Sequence, residues 1–133
     1  MTQRQTFNRA RESVGQARRF VTQAIRGAPG EVIETVALMA SELASNCVRH
    51  ADSQFEMAVI QAGPEIRVEA TDRGRGEPVL RNPAPTDPTG RGLQIVDMLA
   101  EDWGVEPLAG RGKTVWFTVL VPAADRVGHS CPA

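Results

Sequence analysis

The sequence has 133 residues, of which 41% are hydrophobic and 23% charged, as expected for one soluble globular domain rather than a disordered or fibrous chain. No stretch approaches the roughly 20 apolar residues of a membrane span, and the polar start lacks the apolar core of a signal peptide. A cytoplasmic protein is therefore predicted. The formal net charge of −1 gives no overall attraction for nucleic acid, so direct nucleic-acid binding is not expected.

Two helices are predicted in the first half of the chain. Residues 11–26 carry apolar side chains every three or four positions, which indicates an amphipathic helix that Gly27 and Pro29 end. Residues 31–50 repeat this pattern with a longer apolar face. Residues 1–10 are assigned to an N-terminal segment that precedes the domain.

The second half alternates between strands and a helix. Strands are predicted over 55–61 and 66–72 on either side of a Gly63-Pro64 turn, which together form a hairpin. A long loop rich in proline and glycine follows, and a third helix begins near Gly90. Two further strands complete the domain, over 103–108 and 114–121, and residues 122–133 are predicted to be a flexible tail. This order of elements predicts an α/β fold, specifically a two-layer α/β sandwich over residues 11–121.

Charge is distributed unevenly at the front of the chain. The first 26 residues contain six arginines and one acidic residue, Glu12. Such a run is typical of a solvated helix surface, and a partner-binding face is the alternative interpretation. The arginines are Arg4, Arg9, Arg11, Arg18, Arg19 and Arg26.

The second predicted helix carries a polar stripe. Glu42, Asn46 and Arg49 fall within an arc of about 60° beside the apolar face, so they lie at the boundary of the core. A carboxylate can accept a proton, an amide oxygen can ligate Mg²⁺ and a guanidinium can bind phosphate. The stripe could therefore serve a metal–nucleotide site, although ordinary surface chemistry produces the same pattern.

Two glycine-rich segments add further candidates. Asp72 ends a predicted strand and is followed by Gly74 and Gly76, so backbone can approach a ligand while the aspartate accepts an exocyclic amine. The run from Gly90 to Leu93 opens the third helix, where unpaired backbone N–H groups favour phosphate. Each segment alone also fits a structural role, as a strand-end turn and as a helix cap. Neither is a Walker motif or a Rossmann fingerprint.

In combination and in this order, the segments resemble the GHKL (histidine kinase-like) ATPases. That family has an asparagine-box helix, an Asp-x-Gly-x-Gly box, a mobile lid and a second glycine box. A fourth similarity is the Gly112-Lys113-Thr114 segment before the last strand. The resemblance implies a Bergerat-type ATP-binding fold, with a mixed sheet covered on one face by three helices.

The resemblance also implies a role for each matching residue. Glu42 would be the catalytic general base and Asn46 the Mg²⁺ ligand, which makes ATP and Mg²⁺ the expected cofactors. Asp72 would bind the adenine amine, and Thr114 would contact adenine directly or through water. The remaining implied contacts are Arg49 to phosphate, Gly74 and Gly76 at the lid hinge, Gly90, Gly92 and Leu93 around the phosphates, and Arg91 as a further phosphate contact.

The sequence is most similar to the anti-sigma factor serine kinases of the RsbW and SpoIIAB type, in their stand-alone actinobacterial form. The given sequence contains no helical hairpin with a phosphoacceptor histidine and no second domain. The resemblance implies a sigma factor and an anti-anti-sigma protein as partners, with serine phosphorylation of the latter, and a possible homodimer. One departure is Glu77-Pro78, which stands where the family has an apolar residue after Gly76. The alternative is a non-catalytic regulator whose conformation depends on ATP.

Overall fold

The computed structural model describes residues 1–50, 54–72, 88–109 and 112–122, with the backbone alone for 88–92. These residues form three helices and five strands. In chain order the elements are β1 (Thr2–Asn8), α1 (Glu12–Ala24), α2 (Gly30–His50), β2 (Gln54–Ala62), β3 (Glu65–Asp72), α3 (Pro88–Leu99), β4 (Asp102–Pro107) and β5 (Lys113–Leu120).

The predicted α/β sandwich is confirmed, with a correction to the sheet. The described strands lie in the order β1-β2-β3-β5-β4, and every neighbouring pair is antiparallel. The expected mixed sheet is therefore wrong. β3 and β4 run in the same direction across the α3 connection, as in a parallel crossover unit. They are not neighbours, because β5 lies between them and pairs with both.

The N-terminal segment belongs to the sheet. Thr2–Asn8 pairs with β2 as an edge strand, in the register Phe7 opposite Phe55, so residues 1–10 do not merely precede the domain. The two rings stack with centroids 5.6 Å apart. Phe7 is the single buried residue of this strand. The alternation that marks a half-buried strand is therefore missing from its sequence.

The core lies between the sheet and the helices. α2 packs against α1, α3 and the central strands, while α1 covers β1 and β2. Alternate strand residues point into this layer because successive side chains of a strand face opposite sides. The largest fully buried side chains include Met39 and Leu43 from α2, Met57 and Val59 from β2, and Phe117 from β5.

The other face of the sheet carries polar and aromatic side chains. Arg67 pairs with Glu69 at 2.8 Å, and its guanidinium lies 4.2 Å from the ring centroid of Trp116. In the described part of the chain the helices therefore cover one face of the sheet, as predicted. None of the described helices combines the length and apolarity needed to cross a bilayer.

Candidate functional site

The polar stripe of α2 lies at the core boundary, as its spacing predicted. Asn46 is 7% exposed, Glu42 one turn earlier is half-buried, and Arg49 is exposed in the last turn. Buried Leu43 and Cys47 flank Asn46 on the apolar side of the helix. An amide held this deeply has few accessible rotamers, so Asn46 offers a fixed donor and acceptor at the carboxyl end of α2.

Asp72 is the last residue of β3 and points into the helix-covered layer. It follows the alternation of buried Val68 and Ala70, and its side chain is 5% exposed. Its Oδ2 atom accepts a hydrogen bond from Nζ of Lys113 at 3.2 Å. The strand end therefore holds a buried carboxylate with a cationic partner.

Helix α2 packs against β3, and the Cys47 thiol near the end of this helix senses the charges at the end of the strand. Burial raises the pKa of this thiol to about 12, the Asp72 carboxylate adds to the rise, and the Lys113 ammonium opposes it. Electrostatic effects of this kind require short distances. Cys47 directly follows Asn46, so the structure brings the asparagine-bearing end of α2 close to Asp72. Cys47 is also a free thiol.

Thr114 lies on the opposite face of the sheet from Asp72. Its hydroxyl shares a 2.8 Å hydrogen bond with the hydroxyl of Thr71, its register partner in β3. Lys113 is the register partner of Asp72 and shares its face. Lys113 rather than Thr114 therefore lies beside Asp72, and the contact of Thr114 with adenine stays a prediction.

Lys113 is the residue that sequence reasoning missed. The alternation of the last strand contains this information. Lys113, Val115 and Phe117 lie two positions apart and therefore point to the same face of the sheet, and Val115 and Phe117 are buried. This alternation assigns Lys113 to the core face and Thr114 to the outer face.

Comparison with known families identifies the fold. The model of the family described as histidine kinase-like ATPase domain matches residues 7–119. The chain belongs to the histidine kinase-like ATPase domain family. No curated protein gives a significant match. Membership implies ATP binding and supports an ATP-using enzyme.

Several residues predicted for this histidine kinase-like ATPase site have no described side chain. Gly74 and Gly76 lie outside the described residues, as does most of the lid, which the resemblance assigns to the segment from Glu77 to Thr89. Gly90, Arg91 and Gly92 lie in the first turns of α3, where the backbone alone is described. A helix leaves its first four N–H groups without intrahelical partners, so this end of α3 suits an anion.

The rest of α3 is anchored to the domain. Leu93 packs against the core and Val96 is fully buried. The indole N–H of Trp103 in β4 donates to Oδ1 of Asp97 at 2.7 Å. These contacts fix the direction of the helix, and therefore the position of its first turns.

The donor set fits a magnesium ion carried by a nucleotide. Within the described residues no cluster of three or more His, Cys, Asp or Glu side chains could hold a metal by itself. Mg²⁺ at ATP-using sites is bound by one or two protein oxygens together with phosphates and water. The fixed amide of Asn46, with Glu42 one turn away, matches this pattern.

Proposed function

We propose that the protein is an ATP-binding anti-sigma factor with serine/threonine-protein kinase activity towards an anti-anti-sigma partner. In this role it regulates transcription through partner switching. The observation that carries the proposal is the packing of α2, which bears Asn46, against β3, which ends in the buried carboxylate of Asp72, within a histidine kinase-like ATPase fold. The first group suits the phosphate end of a nucleotide and the second suits its base.

The base end of the proposed site is Asp72. A carboxylate that is 5% exposed accepts hydrogen bonds and donates none, so it discriminates in favour of an exocyclic amine. Burial makes this discrimination strong, because an unpaired partner there costs far more than on the surface.

The phosphate end is formed by α2 and the first turns of α3. Asn46 would hold Mg²⁺, which supplies charge neutralisation at the transferring phosphoryl group when it is bound. Glu42 lies one helical turn before Asn46 and is half-buried, so its carboxylate can accept the proton of an incoming serine hydroxyl. Arg49 and Arg91 are the proposed phosphate contacts from the chain, beside the backbone N–H groups at Gly90 and Gly92.

A charged face supports a protein partner. All six arginines of the first 26 residues are exposed on β1, α1 and the turns beside them. The remaining residues carry nine cations and fifteen acids, so the surface of β1, α1 and their turns has a local excess of positive charge on a chain that is almost neutral. Such a face favours a partner with an acidic surface and accelerates its association.

Phosphotransfer to a partner tests the proposal. The purified protein is incubated with Mg²⁺ and γ-labelled ATP and with candidate anti-anti-sigma proteins encoded by neighbouring genes. Phosphoserine on a partner, located by mass spectrometry, is the expected result, and Glu42→Gln is the matched control that keeps the side-chain shape. Tight ATP binding without any phosphoserine would instead assign the protein as a non-catalytic, ATP-dependent regulator.

A further inference from the structure

We propose that Lys113 is a nucleobase-specificity residue: with Asp72 it forms a paired donor and acceptor that bind the ring N1 and the exocyclic amine of adenine. This inference rests on the proposed nucleotide site and adds to it a direct contact to N1. It also assigns a function to a side chain that lies within the Gly112-Lys113-Thr114 segment but to which the sequence analysis gives no role.

The two side chains are fixed side by side by the sheet. Lys113 and Asp72 are direct register partners in β5 and β3, and their charged atoms lie 3.2 Å apart. Their exposures differ, since the Asp72 side chain is 5% exposed and that of Lys113 is 33% exposed. The acceptor therefore lies deeper in the protein than the donor, and the ammonium remains accessible to a ligand.

Adenine presents the matching groups on adjacent atoms. Its exocyclic amine is a donor and the neighbouring ring N1 is an acceptor, whereas a carboxylate only accepts and an ammonium only donates. An amine bound to Asp72 therefore leaves N1 next to Lys113. Guanine in the same orientation would direct its O6 acceptor at the carboxylate and its N1–H at the ammonium, which is unfavourable at both positions.

The ammonium group has the capacity for both contacts. It carries three donors, and the ion pair with Asp72 uses one of them. Lys113 is also the only lysine in the 133 residues, since the other fourteen basic side chains are arginines. A role confined to neutralising Asp72 is the competing explanation, and it predicts that nothing depends on the N1 atom of the base.

Removing the proposed contact from the protein in one case and from the nucleotide in the other separates the two explanations. Calorimetry would measure the affinities of the wild-type protein and of Lys113→Met for ATP and for 1-deaza-ATP, which lacks the N1 acceptor. The wild type should bind 1-deaza-ATP about 10- to 100-fold more weakly than ATP, the range expected for a hydrogen bond from a charged group. Lys113→Met should bind both with nearly equal affinity. The affinity of each protein for 1-deaza-ATP is compared with its own affinity for ATP, so a general loss of nucleotide affinity in the variant does not affect the result.

Arg67→Met is the matched control. It also removes a cation from the central strands, but on the opposite face of the sheet beside Trp116, so its penalty for 1-deaza-ATP should equal that of the wild type. The proposal is overturned if the wild type binds the two nucleotides equally, or if Lys113→Met keeps the full penalty. Failure of the wild type to bind ATP at all would overturn the proposed nucleotide site as well.

A second measurement needs no variant. Because the chain has one lysine, ¹⁵N-labelled lysine gives a single side-chain ammonium signal in the NMR spectrum. ATP should shift this signal clearly and 1-deaza-ATP should shift it much less. Equal shifts with both nucleotides would contradict a contact between Lys113 and N1, whether or not Lys113→Met folds.

Discussion

Breaking the Asp72–Lys113 pair should destabilise the fold by amounts that depend on which partner is removed. Lys113→Met removes the ammonium that pairs with a carboxylate that is 5% exposed, whereas Asp72→Ala leaves an ammonium that is 33% exposed and can turn towards water. Removing one member of a buried pair costs about 3–5 kcal/mol, and exposed pairs contribute roughly 0–1 kcal/mol. We therefore expect a loss of about 2–3 kcal/mol for Lys113→Met and about 1 kcal/mol or less for Asp72→Ala.

Urea unfolding at pH 7 without nucleotide would measure both losses. Tryptophan fluorescence reports on the relevant strands, because Trp103 and Trp116 lie in β4 and β5. The double variant should lose much less than the sum of the single losses, since the buried carboxylate is then absent. Equal losses for the two single variants, or a larger loss for Asp72→Ala, would refute the difference in burial on which the argument depends.

Three further predictions concern α2 and the outer face of the sheet. Asn46→Ala should weaken Mg²⁺-dependent ATP binding in calorimetry. Glu42→Gln should preserve ATP binding and lower the rate of phosphotransfer by roughly 10²- to 10⁴-fold. Loss of ATP binding in Glu42→Gln would show that the role of Glu42 is structural. The pKa of Cys47 is raised from 9.0 to about 12 in the folded state, so its contribution to stability is complete below pH 9 and is lost as pH rises towards 12. Urea unfolding from pH 8 to 10.5 should therefore show a steeper decline for the wild type than for Cys47→Ala, and parallel curves would contradict it. Gly104→Ala should lower the free energy of unfolding by about 1–3 kcal/mol, measured by thermal unfolding, because the added Cβ would lie 2.9 Å from Cζ2 of Trp116. An unchanged melting temperature would show that the ring of Trp116 moves freely.

The helices and the strands β2, β3 and β5 were predictable because apolar residues mark the side that each of them buries. β4 was also predicted, although none of its residues is fully buried. The apolar repeats that predicted 11–26 and 31–50 correspond to α1 and α2 within two residues at each end. β1 was not predictable in this way, since Phe7 is its one buried side chain and its partner in the sheet lies about fifty residues further along the chain. Edge strands with one buried residue carry little periodic signal.

The antiparallel pairing of all neighbouring strands could not be predicted from local sequence. A strand, a helix and a strand in succession favour a parallel pair, and β3, α3 and β4 have that order. The insertion of β5 between β3 and β4 depends on the pairing of the last hairpin with β3. That pairing depends on the whole sheet and produces no recognisable pattern in the sequence of either strand alone.

The candidate site was predictable at the residues that belong to a recognisable motif. Asn46 and Asp72 were selected by spacing and by resemblance, and the structure packs their elements, α2 and β3, against each other. The position of Lys113 beside Asp72 was not predicted, because the motif identifies residue types, whereas the face to which a side chain points depends on its position in the alternation along the strand.

Calorimetric titration of Mg²⁺ATP into the wild-type protein and into Asp72→Ala tests the central claim most directly. The wild type should bind one nucleotide, and the folded variant should bind it about 10- to 150-fold more weakly, because a charged hydrogen bond at a buried position is lost. Urea unfolding of the same samples establishes that the variant is folded. An unchanged ATP affinity in folded Asp72→Ala would contradict the assignment of the end of β3 as the base-binding part of the site.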